Sequence, residues 1–259
     1  MAKNKDSIQY IFTVAFAVCL VCAIIVATSA VVLRPLQVKN KEIDLKRNIL
    51  SAAGLLVEGK TVEEQFTQIE TRLVNIETGQ YSTEFDVDLF DPVKAASDAS
   101  ITKALSTKED PASIKRRESY TEVYIVRDSS GNLDTVILPV RGYGLWSTLW
   151  GFIALEEDLN TVVGLGFYSH TETPGLGGEV DNPKWIAQWP GKKVYNQGEP
   201  VIALKKGSVN SENAFEADHL IDGLSGATLT SKGVTNLVQY WLGDDGFKPF
   251  LDNLKAGGA

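Results

Sequence analysis

The longest hydrophobic segment of the chain is an uncharged run from Ile11 to Leu33, built mainly from Ala, Val, Ile, Leu and Phe. As a helix with a rise of about 1.5 Å per residue it would reach roughly 35 Å, more than the bilayer's hydrocarbon core of about 30 Å. A cleaved signal peptide is the alternative, because Lys3 and Lys5 precede the run and Thr28-Ser29-Ala30 resembles a cleavage site. The run continues past those small residues, so the pattern favours an uncleaved membrane-spanning helix.

Two further helices are predicted in the first third of the chain. Apolar residues recur at helical spacing from Glu42 to Leu56, after Pro35 and before Gly59. Thr61 and Glu64 then have the spacing of a capping box, which predicts a second helix beginning there. The apolar residues that would share one face of that second helix are Val62, Phe66, Ile69 and Leu73.

Residues 77–118 are mixed and polar, and their acidic cluster from Glu84 to Asp91 lacks the central glycine and terminal glutamate of a calcium loop. We interpret this acidic cluster as a solvated loop. From Tyr120 onward, short runs of branched and aromatic residues separated by turn residues predict antiparallel strands. The predicted strands are Val123 to Val126, Thr135 to Val140, Phe152 to Leu155 and Val162 to Phe167.

The last periodic segment follows Ser231, carries Val234, Leu237, Val238 and Trp241 at helical spacing, and stops at Gly243. Strands followed by a helix, without regular alternation of the two, predict an α+β fold: an antiparallel sheet with flanking helices, preceded by one transmembrane helix. The expected organisation is a tail (1–10), the span (11–33), a membrane-proximal helical and loop region (34–118) and a C-terminal domain (119–259) that forms one globular unit with that region.

Composition limits the chemistry of the 259-residue chain. Its formal net charge of -8 argues against nucleic acid or an anionic membrane surface as a partner. The only cysteines, Cys19 and Cys22, lie in the apolar run, so the remaining chain offers no thiol for a disulfide, an iron–sulfur cluster or attached haem. Two histidines some fifty residues apart give no metal-ligand spacing either.

Charge alone gives an ambiguous topology. Lys3 and Lys5 precede the span, whereas five basic residues follow it between Arg34 and Arg47. The positive-inside rule would therefore place the domain in the cytoplasm, but that rule is weak where a long folded domain follows. The basic residues therefore do not decide on which side of the membrane the domain lies.

Three glycine-rich or hydroxyl-rich segments are candidates for chemistry: residues 142–147, 170–178 and 222–231. The third runs into a helix N-terminus, where free N–H groups and the helix dipole favour a phosphate. Plain N-capping of that helix by Thr230 or Ser231 is the alternative. A hydrolase with Ser225 as nucleophile is disfavoured, because both histidines precede the serine. Gly175 to Gly178 lacks the strand and helix context of a dinucleotide fingerprint.

The string DGLSGATLTS resembles the attachment motif of bacterial FMN-binding domains in which the flavin's phosphate is esterified to a threonine, here Thr228. Together with HTETPGLGG and GYGLWS upstream, it makes nearly the whole chain similar to the C subunits of bacterial sodium-pumping NADH:quinone oxidoreductases. The resemblance implies a covalent FMN, attached by a flavin transferase on the outer side of the bacterial inner membrane. It therefore implies a periplasmic domain, against the charge count.

The resemblance also implies roles for individual residues. Asp222, Ser225, Gly226 and Ala227 would form the recognition context of Thr228, and Thr230 is a candidate phosphate contact. On physical grounds, the glycines from Gly175 to Gly178 would let the backbone lie close to the flavin ring, with Thr173 and Gly175 as candidate contacts, and Trp146 or Leu176 would pack on its face. A buried core position is the alternative for Trp146. His170 is assigned no role.

The implied function is electron transport in a sodium-translocating complex: FMN on Thr228 accepts electrons from one integral membrane subunit and passes them to another, with no NADH site of its own. A G-type subunit of the related Rnf ferredoxin:NAD+ oxidoreductase is an alternative, although such subunits are usually shorter and the segment 42–118 favours the quinone oxidoreductase. A non-redox, membrane-tethered binding or assembly module is the alternative from another class.

Overall fold

The computed structural model of the protein describes residues 7–258, so Lys3 and Lys5 lie outside the described residues. The chain divides into two compact units, one up to Asp44 and one from Leu45 onward. Within the described residues the helices are α1 (Ile8–Ala52), α2 (Val62–Phe66), α3 (Pro92–Ala95), α4 (Pro183–Ile186), α5 (Ala214–His219), α6 (Thr228–Trp241) and α7 (Lys248–Lys255), with 3-10 turns at Val87–Leu89 and Gly177–Asp181.

The N-terminal helix α1 contains the predicted span and is long and apolar enough to cross a membrane. Many of its large apolar side chains between Ile8 and Val38 are exposed, which is favourable in lipid and unfavourable in water. The prediction of a separate helix from Glu42 to Leu56 is wrong in its boundaries, because α1 continues through Pro35 and ends at Ala52. Gly54, with φ of 67°, follows that end where Gly59 was the predicted stop.

The capping box at Thr61 is confirmed, but the helix that it begins is only one turn long. The Thr61 hydroxyl accepts the N–H of Glu64 at 3.3 Å, and the Glu64 carboxylate accepts the N–H of Thr61 at 3.0 Å. The predicted helical continuation through Ile69 and Leu73 is wrong, because Ile69–Asn75 is a strand that pairs with Tyr120–Val126. Pairing with a strand some fifty residues away outweighs the local helical spacing.

The six-stranded antiparallel sheet confirms the predicted α+β class. Its order is β2-β1-β5-β6-β7-β8, so the four predicted strands are four contiguous strands of the six. The described residues also form three separate two-stranded pairs: β3 with β4, β9 with β10, and β11 with β12, the last being parallel. The strands are β1 (Ile69–Asn75), β2 (Gln80–Tyr81), β3 (Thr102–Ala104), β4 (Arg116–Glu118), β5 (Tyr120–Arg127), β6 (Leu133–Tyr143), β7 (Thr148–Glu156), β8 (Val162–Ser169), β9 (Tyr195–Asn196), β10 (Glu199–Pro200), β11 (Ala203–Lys205) and β12 (Leu220–Asp222).

The main core lies between one face of this sheet and α6. The buried Val234, Leu237 and Val238 of the helix belong to the same apolar cluster as Val123 and Leu138 of the sheet. Two glycines let the helix approach β6 closely. A Cβ on Gly142 would lie 2.5 Å from the Cβ of Leu237, and one on Gly233 would lie 2.4 Å from the carbonyl oxygen of Tyr143. The start of α6 is thereby held near the end of β6.

The opposite face of the sheet is also buried and carries a polar pair among aromatic rings. The hydroxyl of Tyr124 donates to the carboxylate of Glu122 at 2.6 Å, and both residues are buried. Phe152 stacks on Tyr168 with ring centroids 5.3 Å apart. Burial raises the pKa of Glu122 above its usual value, and the hydrogen bond from Tyr124 opposes that rise only in part.

Candidate functional site

The three segments singled out in the sequence meet at one end of β6 and α6, around the carboxylate of Glu172. One carboxylate oxygen, Oε1, accepts the backbone N–H groups of Leu145, Trp146 and Ser147 at 3.0, 2.9 and 3.3 Å. The other, Oε2, accepts the hydroxyl of Thr230 at 2.7 Å. Glu172 is only 5% exposed, so a buried carboxylate joins the segments 142–147, 170–178 and 222–231.

Glycines make room for this carboxylate on two sides. A Cβ on Gly144 would lie 2.6 Å from Oε1 of Glu172, and one on Gly177 would lie 2.7 Å from Oε2. Contacts that short do not occur with a real side chain, so the packing around Glu172 requires glycine at both positions. The glycine richness of the first two segments thus has a structural cause besides any approach to a ligand.

Hydrogen bonding keeps Glu172 ionised in its buried position. Burial is the largest single influence and would raise the pKa of its carboxyl, but the hydrogen bonds from the N–H of Trp146 and the hydroxyl of Thr230 oppose it. With the N–H groups of Leu145 and Ser147, they hold that pKa below its usual value. The site therefore contains a fixed negative charge that is satisfied by the protein itself.

The lowered pKa of Glu172 predicts a specific pH dependence of stability. Its contribution is complete above the unfolded-state value of 4.5 and is lost as pH falls below that value through the lowered folded-state pKa. The Glu172→Gln variant should therefore be less stable than the wild type at neutral pH, with a difference that shrinks as the solution is acidified. Urea midpoints of the detergent-solubilised chain at several pH values measure this. The exposed Glu63→Gln change is the control, and a difference independent of pH would contradict the prediction.

Thr228 is the first residue of α6 and is exposed. Its hydroxyl makes no hydrogen bond to any residue in the described range 7–258. The residue before it, Ala227, is the N-cap and supplies no side-chain cap. In that same described range, the N–H groups of Thr228, Leu229 and Thr230 likewise have no partner, so the site offers a free hydroxyl beside uncapped helix N–H groups.

The predicted N-capping by Thr230 or Ser231 is wrong, because α6 begins before both and both are buried inside its first turns. The Ser231 hydroxyl accepts the N–H of Leu224 at 2.9 Å and donates to the carbonyl of Ala227 at 3.0 Å, which fixes the loop before the helix. Thr230 is fully buried with its hydroxyl on Glu172. That geometry argues against the predicted side-chain contact of Thr230 with a phosphate.

The remaining residues of the third segment divide into structural and accessible positions. Asp222 is half-buried, and its Oδ1 accepts the N–H of Val209 at 2.7 Å. Ser225 and Gly226 are exposed, and Gly226 has the left-handed φ of 72°. A Cβ on Gly226 would lie 3.0 Å from the side chain of Leu176, so the second segment reaches the loop that precedes Thr228.

The second segment turns sharply just after Glu172. The carbonyl of Thr173 accepts the N–H groups of Leu176 at 3.1 Å and Gly178 at 2.9 Å, and Gly175 takes a φ of 75°. Pro174 and then Gly175 occupy the central positions of this turn, the arrangement typical of a type II turn. Thr173, Gly175 and Leu176 are all exposed as a result.

Exposed apolar side chains lie on the three segments that Glu172 joins, one of which contains Thr228. Trp146 is 63% exposed, so its alternative interpretation as a core residue is wrong, and Leu176 is 44% exposed. An aromatic and aliphatic surface of this kind beside a free hydroxyl suits a planar, largely apolar ligand. We call this set the apolar surface: Tyr143, Leu145, Trp146, Leu176 and Leu229.

Sequence reasoning missed Glu172 as a functional residue, although it lies within the HTETPGLGG string. The only sign in the sequence was an acidic residue among glycines and threonines, and such a residue is usually interpreted as exposed to solvent. His170, to which no role was assigned, accepts the N–H of Glu172 on Nδ1 at 3.1 Å and lies 2.7 Å from Asp181 through Nε2. Among the described residues, no cluster of His, Cys, Asp and Glu has the geometry of a metal site.

Comparisons with known proteins agree with this site. The model of the FMN-binding domain family matches residues 144–243. The chain is 53% identical to the C subunit of the Na(+)-translocating NADH-quinone reductase of Pseudomonas aeruginosa over 99% of both chains, and 46% identical to that of Pasteurella multocida over 99% of this chain and 98% of the relative. It is similar to the crystal structure of Shewanella oneidensis NqrC, with a TM-score of 0.75, 35% identity, and coverage of 82% of this chain and 97% of that one.

Proposed function

This chain belongs to the family of Na(+)-translocating NADH-quinone reductase C subunits, and from that premise we propose that it carries FMN on Thr228 and relays electrons between other subunits. The linkage is a phosphoester bond to the threonine hydroxyl. One observation carries the proposal: in a chain with an FMN-binding domain, the Thr228 hydroxyl of the DGLSGAT string is exposed and unbonded among residues 7–258. FMN, when bound, supplies reversible electron transfer.

The residues around Thr228 fit a phosphate and a flavin ring. A phosphodiester retains one negative charge, which the unpartnered N–H groups of Leu229 and Thr230 at the start of α6 stabilise by about 0.3–1 kcal/mol. The apolar surface, with Trp146 and Leu176, offers faces for a planar ring. Thr173 and Gly175 supply exposed backbone beside it. Asp222, Ser225, Gly226 and Ala227 form the loop that presents Thr228.

Attachment needs an enzyme and a flavin donor. A flavin transferase would use FAD: the Thr228 oxygen attacks the phosphorus on the FMN side, the bond to the AMP moiety breaks, AMP leaves, and the hydroxyl proton passes to a base of the transferase. The exposure of Thr228 in the folded domain is compatible with attachment after folding. Covalent attachment also makes flavin retention independent of affinity, which suits a carrier outside the cell's flavin pool.

The two relatives described above match over nearly the whole chain and are C subunits, which favours this assignment over a G-type Rnf subunit. Partners are accordingly the other integral membrane subunits of the complex. A non-redox binding module stays an alternative only if the chain carries no flavin. The division into regions 1–10, 11–33, 34–118 and 119–259 stays a prediction.

A gel experiment tests the covalent cofactor. The protein is expressed with and without a flavin transferase, boiled in SDS and separated, and the band is viewed for flavin fluorescence. We expect fluorescence only when the transferase is present, because denaturation releases any flavin held by non-covalent contacts. A non-fluorescent band with the transferase present would contradict the proposal and favour the binding module.

We also propose that α1 anchors the domain on the periplasmic side of the bacterial inner membrane. Because Cys19 and Cys22 are the only cysteines, a variant with both replaced by serine gives a thiol-free background. Ser130, exposed in the turn between β5 and β6, then becomes the reporter as Ser130→Cys.

In cells whose outer membrane alone is permeabilised, a maleimide that cannot cross the inner membrane should label the Ser130→Cys chain. The thiol-free background should stay unlabelled. Labelling that appears only after lysis would place the domain in the cytoplasm, as the charge count indicated.

A further inference from the structure

The proposed attachment of FMN to Thr228 gives the buried carboxylate of Glu172 no chemical role. Its partners are far apart in the sequence: the bonded N–H groups lie 25 to 27 residues before it, and Thr230 lies 58 residues after it. Both oxygens are occupied, and the side chain is almost entirely hidden from solvent. Glu172 therefore faces the protein on all sides and is not itself available to a ligand.

The two ends of this carboxylate hold two different parts of the proposed flavin site. Through Oε1 it fixes the backbone of Trp146, whose indole is the most exposed aromatic group of the apolar surface. Through Oε2 it fixes Thr230, two residues after Thr228 in the same helical turn. The side chain of Glu172 thus sets the distance between Thr228, the proposed attachment point, and Trp146 of the apolar surface.

Further contacts keep the carboxylate itself from moving. The imidazole of His170 accepts the backbone N–H of Glu172, and the hydroxyl of Ser147 accepts the N–H of Thr171 at 2.8 Å. Gly144 and Gly177 pack so closely against the carboxylate that a Cβ on either would lie 2.6 or 2.7 Å from one of its oxygens. A side chain so completely bonded and packed is suited to hold geometry.

We propose that Glu172 is the positioning residue of the flavin site: it joins the Leu145–Ser147 loop to the first turn of α6 and so immobilises the ring after attachment. This inference rests on the proposed attachment of FMN to Thr228. Because the flavin would stay covalently bound when the site is distorted, attachment and immobilisation can be measured separately.

The test uses the full-length holoprotein made with a flavin transferase, in four variants: Glu172→Ala, Glu172→Asp, Glu172→Gln and, as a matched control, Glu122→Gln. Glu122 is also a buried glutamate but lies on the opposite face of the sheet. Attachment is read from flavin fluorescence in a boiled SDS gel. Immobilisation is read from iodide quenching of flavin fluorescence and from the visible circular dichroism of the folded protein.

We expect every variant to carry flavin. Quenching in the Ala and Asp variants should move more than half of the way from the wild type toward the urea-unfolded holoprotein, because Ala lacks the acceptor and Asp is one methylene too short. Gln should stay close to the wild type, since its carbonyl can accept the three N–H groups and its amide can donate to Thr230. Glu122→Gln should leave both flavin signals unchanged.

Wild-type quenching and dichroism in the Ala and Asp variants, or loss of their flavin while the wild type keeps its own, would overturn the inference. The inference would also be overturned if the Asp variant gave wild-type flavin signals while the Gln variant gave those of the Ala variant. The charge of the side chain, and not its length and hydrogen bonds, would then decide the flavin's mobility. If the Ala variant does not fold, Thr230→Val removes the Oε2 partner alone and should give an intermediate increase in quenching. A wild type without flavin would instead overturn the proposed function.

Discussion

Replacing Thr228 by valine should abolish the covalent flavin and leave the fold intact. Valine keeps the branched shape of threonine but lacks the hydroxyl oxygen that would bond to phosphorus. Thr228 is exposed, and its hydroxyl bonds to none of residues 7–258, so the change in the free energy of unfolding should stay within about 0.5 kcal/mol. In a boiled SDS gel the variant band should be non-fluorescent, whereas its thermal unfolding should match the wild type.

The matched control is Thr107→Val, since Thr107 is an exposed threonine in another turn and has no hydrogen bond among the described residues. That variant should keep full flavin fluorescence. Ser231 would be a poor control, because its hydroxyl holds Leu224 and Ala227 and its loss would loosen the attachment loop. Fluorescence that persists in Thr228→Val would mean that another hydroxyl, with exposed Ser225 the nearest candidate, accepts the flavin.

Replacing Trp241 by alanine should have the largest effect on stability. Its indole is 1% exposed at the end of α6, and its Nε1 donates to the carbonyl of Arg141 in β6 at 2.7 Å. Removing a buried Trp costs about 3–5 kcal/mol through lost burial and the cavity left behind. For a chain of this size that corresponds to a fall in Tm on the order of 10 °C.

Trp146→Ala is the matched control, because it removes the same side chain from an exposed position. Its free energy of unfolding should change by no more than about 0.5 kcal/mol. It should instead alter the visible circular dichroism of the attached flavin, since Trp146 belongs to the apolar surface. Equal losses of stability in the two variants would contradict the assignment of Trp241 to the core and Trp146 to the site.

Local patterns were sufficient to predict four contiguous strands of the sheet. The strands β5 to β8 consist of apolar, branched residues bounded by turns such as Asp158 to Asn160, so each strand carries its own signal. The sequence of β1 carried a misleading helical signal, because Ile69 and Leu73 are four residues apart and follow a genuine capping box. Only the pairing of β1 with β5 decides between helix and strand there, and that pairing is not a local property.

The same limit applied to the site. Thr228 could be proposed as the attachment residue because the motif that it resembles is contiguous. The start of α6 could not be predicted, since its N-cap is Ala227, which has no side chain able to cap. Glu172 could not be distinguished from a solvated acid, because its partners are backbone N–H groups and a hydroxyl in distant segments. Such contacts leave no periodicity or fixed spacing in the sequence.

The most direct test of the central claim is the mass spectrum of one tryptic peptide from protein made with a flavin transferase. The peptide from Gly207 to Lys232 contains Thr228 together with five competing hydroxyls, those of Ser208, Ser211, Ser225, Thr230 and Ser231. The account predicts that its mass rises by that of FMN less one water, and that fragmentation assigns the added mass to Thr228. An unmodified peptide, or FMN on any of the other five hydroxyls, would contradict it.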